Sequence, residues 1–122
     1  MGGDILIAED DPDLRPLLAQ TFETEGFDVT TFEDGEGLLR HLDAGGRPDC
    51  ILLDLMMPRV SGLAVLAERS GDEALASIPV IVLTGRDDSE AVETALERGA
   101  DDYVTKPFGP ADLVSQVREQ LG

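Results

Sequence analysis

Four apolar runs in this chain end in polar residues suited to one kind of chemistry. Ile5-Leu6-Ile7-Ala8 runs into Glu9-Asp10-Asp11, and Ile51-Leu52-Leu53 runs into Asp54. Val80-Ile81-Val82-Leu83 ends in Thr84, and Tyr103-Val104-Thr105 ends in Lys106-Pro107, whose lysine is the only one in the chain. If these runs are parallel neighbouring strands, three or four carboxylates, a hydroxyl and an ammonium converge at one edge of one sheet. Oxygen ligands without a His or Cys cluster suit a hard cation, and magnesium takes one or two carboxylates beside a phosphate oxygen. Asp10 and Asp54 would be direct carboxylate ligands, with Glu9 direct or through water. A carboxylate can itself attack phosphorus to give an aspartyl phosphate. Asp54 is the nucleophile candidate because it ends what should be the central strand. Magnesium, the Lys106 ammonium and the Thr84 hydroxyl would then take the three phosphoryl oxygens, a task of positioning and charge neutralisation.

Each of these residues also has an ordinary use. A strand-terminal Asp forms turns or caps helices, a lone Thr closes a strand, and Lys-Pro is a turn. Asp11 in particular reads as a helix cap. Taken together, at consistent strand ends, the set is better explained by a site, because crowded like charges are unfavourable unless a cation neutralises them.

The elements that must position them alternate between strand and helix with short connections. Asp11 or Asp13 can cap a first helix with Pro12 in its first turn, and Leu14, Leu17, Leu18, Thr21 and Phe22 form its inward stripe up to Gly26. Residues 27–32 alternate as an exposed strand, and a short helix around Leu38, Leu39 and Leu42 closes at Gly45-Gly46. Cys50 to Asp54 is the third strand. A loop, 55–62, leads to a helix with Leu63, Leu66 and Ala67 inward. Pro79 to Leu83 is a strand buried on both faces. Ser89 to Arg98 reads as the fourth helix, with Ala91, Val92, Ala95 and Leu96 inward. After the fifth strand, Gly109-Pro110 opens a fifth helix carrying Leu113, Val114, Val117 and Leu121. Such alternation means a parallel sheet with helices on both faces. Ligands of such sheets bind beyond the carboxyl ends of the strands, where the strand order reverses.

The 122 residues, 42% of them hydrophobic, are enough for one domain with a real core, and the expected organisation is a single domain over 1–122 with no linker or output domain, either stand-alone or excised from a longer chain. The net charge of −17, from 26 acids against 9 bases, repels nucleic acid and anionic membranes, so direct binding to either is not expected. Most of the surplus acid is solvated surface. Cys50 is the only cysteine, a small core residue, and His41 belongs to the surface, away from the strand ends. No signal-peptide pattern and no apolar stretch of about 18 residues is present, so the expected location is the cytoplasm.

In these segments the chain resembles the receiver domains of bacterial two-component response regulators, from Ile5 to Leu121. The matching residues are Ile5 to Asp11, Asp54-Leu-Met-Met-Pro58-Arg-Val-Ser-Gly62, Val80 to Gly85, and Gly99-Ala-Asp-Asp-Tyr103-Val-Thr-Lys106-Pro107-Phe108. The resemblance implies a doubly wound five-stranded α/β sheet of flavodoxin-like order 2-1-3-4-5. It makes Asp54 the phosphoacceptor, Glu9 and Asp10 the acid pair holding magnesium, and the Met56 backbone carbonyl a further metal ligand. Thr84 and Lys106 would contact the phosphoryl group, Lys106-Pro107 would be cis, and Tyr103 would be the aromatic switch. The implied donor is a sensor histidine kinase or a histidine phosphotransfer protein. The last third looks most like receivers of winged-helix regulators, which commonly dimerise through the fourth helix, fifth strand and fifth helix. That admits a phosphorylation-dependent homodimer, although this fourth helix departs from the mixed-charge pattern, with Arg98 alone among Asp88, Glu90, Glu93 and Glu97. Two positions flank the path of a hydrolytic water, Met56 and Arg86, and neither is a small polar residue, so slow loss of phosphate is expected.

Two other readings compete with a phosphorylatable switch. A phosphohydrolase with an aspartyl nucleophile wants a carboxylate two positions after Asp54, where this chain has Met56, and usually a cap insertion. A receiver-like interaction module that acts without phosphorylation would have no need of Glu9, Asp10, Asp54, Thr84 and Lys106 together. The chain is therefore expected to be a signalling domain rather than an enzyme.

Overall fold

Unbroken apolar character along 51–53 and 80–83 requires burial on both faces, and both runs are interior strands of one sheet with every residue buried. The computed structural model describes residues 3–85 and 89–122; Arg86 and Asp88 lie outside the described residues. Within these, the strands are β1 (Gly3–Ala8), β2 (Phe27–Phe32), β3 (Cys50–Asp54), β4 (Val80–Thr84) and β5 (Asp102–Thr105). The helices are α1 (Leu14–Thr24), α2 (Gly35–Asp43), α3 (Gly62–Ser70), α4 (Glu73–Ala76), α5 (Ser89–Glu97) and α6 (Pro110–Leu121). All strand pairs are parallel, in the order β2-β1-β3-β4-β5. The order reverses between β1 and β3.

Alternate strand residues feed two cores. Ile5, Ile7, Leu52, Ile81, Leu83 and Val104 pack with Leu18 and Phe22 of α1 and Leu113, Val114 and Val117 of α6. Leu6, Ala8, Ile51, Leu53, Val80 and Val82 face Leu38 and Leu42 of α2, Val65 and Leu66 of α3, Leu75 of α4 and Ala95 of α5. Burying one such Leu or Ile contributes roughly 1.5–3 kcal/mol, so the two cores hold the strand ends in fixed register. Cys50 is fully buried, and burial pushes its thiol up to about 12, which leaves it a core residue without redox character.

Several local expectations change. The one-turn helix α4 between α3 and β4 has no apolar periodicity to announce it; Asp72 caps it by accepting from the Ala74 N–H. The expected fourth and fifth helices are therefore α5 and α6. Pro12 precedes α1 instead of lying in its first turn, because the Asp11 carboxylate accepts from the Asp13 and Leu14 N–H groups and holds a turn there. Leu17, expected inward, is half exposed, and Ala67 is exposed while Val65, Leu66 and Arg69 are buried. The α3 stripe is set by Gly62, where a side chain would meet Asp54 O at 2.4 Å and Leu55 Cα at 2.7 Å. Leu96 is 42% exposed beside Tyr103, and His41 is half-buried against the Phe32 ring.

Candidate functional site

Glu9 follows the last residue of β1, and its backbone N–H is still bonded to Phe32 O at the end of β2, at 3.0 Å. Its carboxylate is fully buried. One oxygen accepts from the Asp11 N–H at 3.2 Å. The other, Oε1, has no aligned hydrogen bond and meets the Lys106 ammonium at 2.8 Å as an ion pair. Asp54 ends β3 and is 3% exposed. Its Oδ1 accepts from the Met56 N–H at 3.0 Å, and its Oδ2 lies 3.4 Å from Lys106 Nζ. Asp10 is exposed, and one oxygen from each of Glu9, Asp10 and Asp54 lies within 4.8 Å of the others.

Three carboxylates thus cluster beside one ammonium, which pairs with Glu9 and Asp54. Burial, then the neighbouring Glu9, pushes the Asp54 carboxyl up to about 8, and the Met56 N–H offsets only part of this. Burial pulls the Lys106 ammonium down, but Glu9 and Asp54 outweigh it and hold it above its ordinary value. The surplus negative charge, the all-oxygen donor set and the unaligned buried Glu9 Oε1 fit a hard divalent cation. Asp11 plays a different part: its two backbone N–H partners hold its exposed carboxyl below the usual range, as in a capping turn.

Glu9, Asp10, Asp54, Met56 and Lys106 line one open cavity of about 420 Å³ at the carboxyl edge of the sheet. The Lys106-Pro107 bond is cis. Thr84 is not part of that lining. It is 1% exposed, donates its hydroxyl to Gly85 O at 3.4 Å, and borders a second groove of about 390 Å³. Gly85 belongs to both cavities and joins them, and Thr84, its neighbour, lines only the second. Tyr103, 45% exposed, lines the second groove with Val92, Leu96 and Thr105.

Sequence reasoning missed Arg15, whose Nη1 donates to Glu9 O at 3.0 Å and Asp10 O at 3.5 Å. A base in the first turn of the helix after an acidic run was its only signal. It also missed Arg59, which pairs with Asp34 at 2.9 Å from the loop after Asp54.

The family model described as "Response regulator receiver domain" matches residues 5–118. The DNA-binding response regulator MtrA of Mycolicibacterium smegmatis is 42% identical over 120 residues, which cover 96% of this chain and 50% of that protein. Sensory transduction protein RegX3 of Mycobacterium bovis is 41% identical over 117 residues, with 96% and 50% covered. The chain therefore spans about half the length of these curated relatives. Among solved structures, the signal receiver domain of a signal transduction histidine kinase from Syntrophus aciditrophicus superposes with a TM-score of 0.89 at 38% identity, covering 98% of this chain and 89% of that one. The receiver domain of sensor histidine kinase PA1611 from Pseudomonas aeruginosa PAO1, with a magnesium ion coordinated in its active site cleft, gives 0.91 at 30% identity, covering 100% and 99%.

Proposed function

This chain belongs to the response regulator receiver domain family, and from that membership we propose that it is a phosphorylatable switch with Asp54 as the phosphoacceptor. The observation that carries this reading is the convergence of Asp54, Glu9 and Asp10 beside Lys106 in one open cavity. An Asp54 carboxylate oxygen attacks the phosphorus of a phosphohistidine on a sensor histidine kinase or histidine phosphotransfer protein. The P–N bond breaks, and the imidazole leaves with its electron pair and takes up a proton from solvent. Glu9, Asp10, Asp54 and the Met56 carbonyl would hold magnesium, which when bound neutralises phosphoryl charge. Lys106, freed from its pairing to the carboxylates, binds a second phosphoryl oxygen.

Beside Lys106, an open groove of about 490 Å³ lined by Leu14, Leu17, Pro107 and Phe108 gives the donor helix an apolar seat. The exposed half of Leu17 supports this reading. Thr84, next to the Gly85 that joins the two cavities, would turn its hydroxyl toward the phosphoryl group, and Tyr103 would follow into the groove it borders. The partner surface that responds is then the α5–β5–α6 face. Among the described residues, Arg98 of that region donates to Leu63 O at 2.9 Å and Arg118 is held by Glu25 at 2.9 Å. Both bases are thus engaged within the chain, which weakens the case for a self-paired dimer through this face.

Incubation with magnesium and acetyl phosphate tests the reading. Mass spectrometry should show one base-labile phosphoryl group on the parent and none on Asp54→Asn, whose amide is a poor nucleophile. Full modification of the Asn variant would move the acceptor elsewhere.

A further inference from the structure

β1 and β3 pair directly as far as Ala8 and Leu53, and beyond that pairing the loop that leaves Asp54 is tied as well to the β2–α2 turn. At one end Phe32 O accepts from the Glu9 N–H at 3.0 Å. At the other, the Gly35 N–H donates to Val60 O at 3.2 Å, in the loop that leaves Asp54. Asp34 adds a charged link. One of its oxygens caps α2 by accepting from the Gly37 N–H at 2.9 Å, and the other pairs with the Arg59 guanidinium at 2.9 Å. Asp34 is 7% exposed, so its charge is compensated locally by Arg59 and the cap and hardly at all by water.

Two features mark this contact as built. Arg59 is the one non-glycine residue with positive φ among those described, at 65°. L side chains resist that conformation, so a compensating contact is needed to hold it. Gly35 lies so close to the loop that a side chain there would meet Val60 O at 2.4 Å and Val65 Cγ2 at 2.8 Å. Met56 lies between Leu55, which is fixed by bonds to Leu83 O and from the Gly62 N–H, and the braced pair Arg59 and Val60.

We propose that the turn 32–35 is a brace that holds the loop after Asp54, with the Met56 carbonyl, in place relative to Glu9-Asp10 beyond the β1–β3 pairing, with the Asp34–Arg59 ion pair as its lock, and that it tunes the affinity of the site for a divalent cation. Asp34 and Arg59 are positioning residues; neither reaches the cavity. This rests on the reading that the three carboxylates bind such a cation. Linkage makes the effect reciprocal: if the locked brace favours cation binding, bound cation must tighten the brace.

The test is calorimetric titration of magnesium alone into the full chain and its variants, with hydrogen exchange at the Gly35 and Gly37 amides. Arg59→Gly removes the guanidinium while easing the positive φ, and Asp34→Asn keeps a capping oxygen but loses the charge. Each should weaken magnesium binding about threefold to tenfold, the range of couplings through one ion pair. The double variant should be little worse than either single one, and Arg59→Lys should recover part of the loss. Magnesium should slow exchange at Gly35 and Gly37 in the parent and much less in the variants. A parent that does not bind magnesium overturns the cation reading and the brace with it. A parent that binds, with both variants equally tight and no change at Gly35 and Gly37, overturns the brace alone.

Discussion

The sheet buries charge at both of its ends, and the two ends are built in opposite ways. At the amino edge, Arg69 is 2% exposed and spreads its guanidinium over Ile78 O at 2.6 Å, Ala76 O at 2.9 Å and Gly99 O at 3.3 Å, with Asp101 at 3.9 Å. Asp101 in turn accepts from the Val80 N–H at 2.8 Å. One cation there serves three backbone carbonyls and one carboxylate, and it stitches α3, α4 and the entries to β4 and β5 together. At the carboxyl edge, three carboxylates gather beside one ammonium that pairs with only two of them, and Glu9 Oε1 lacks an aligned bond. Among the described residues, the first arrangement leaves only Arg69 Nε without a partner and no charge in excess; the second leaves negative charge over. A buried charge that satisfies its surroundings holds a fold, whereas one left in excess waits for a ligand.

Removing charge should therefore have opposite signs at the two ends. Arg69→Met, similar in length, leaves the Ala76, Ile78 and Gly99 carbonyls short of a donor and should destabilise by about 3 kcal/mol. For a chain of this size that is a fall of roughly 10 °C in Tm. A loss within error by calorimetry would mean that water replaces the guanidinium and that the two ends differ less than drawn here.

Asp54→Asn should do the reverse, raising metal-free stability at neutral pH by on the order of 1 kcal/mol or more, since the amide is neutral in this buried cluster without the proton that the parent carboxyl must take up on folding. The pH dependence fixes the sign. The folded Asp54 carboxyl is raised to about 8, above its unfolded value near ~3.9. Its protonated form is thus favoured by folding: that contribution is full below the unfolded value and is lost as pH rises through the folded one. Parent stability without metal should decline between about pH 4 and 8, and the Asn variant should show a flatter curve. Magnesium at a hundred times its Kd should restore about 2.7 kcal/mol to the parent, and Asp10→Ala should lose most of that gain. Denaturant melts at several pH values check this; a variant less stable than the parent at pH 8 would show that the Lys106 pair outweighs the repulsion.

The smallest effect sharpens the picture of the carboxyl edge itself. Met56 is 63% exposed and lines the cavity with Asp54, adding bulk and no hydrogen-bonding group. Met56→Asn should let a water be oriented for in-line attack and speed loss of the phosphoryl group several-fold, about 1 kcal/mol of barrier. Decay followed by phosphate-dependent gel mobility decides it, and an unchanged half-life would show that Met56 does not govern water access.

The amino-acid sequence alone determined the strands and the residues at their ends, because period and burial are local properties of an apolar run. Ile51–Leu53 can only be an interior strand, and the residue after it, Asp54, must then stand at the edge. The cis Lys106-Pro107 bond, implied by resemblance, is also present. What only the tertiary structure decided were the relations across elements. Leu17 and Ala67 turned outward because the neighbours of a helix, and not its own period, choose which side of a broad apolar stripe is covered. Arg69 reads in the sequence as a surface base at the end of a helix, and its burial depends on carbonyls 7, 9 and 30 residues away. The same holds for Asp34 and Arg59, 25 positions apart by their numbers and joined only when the β2–α2 turn meets the loop after β3. Such contacts leave no periodic trace, since a single charged residue carries no information about where its partner will be folded.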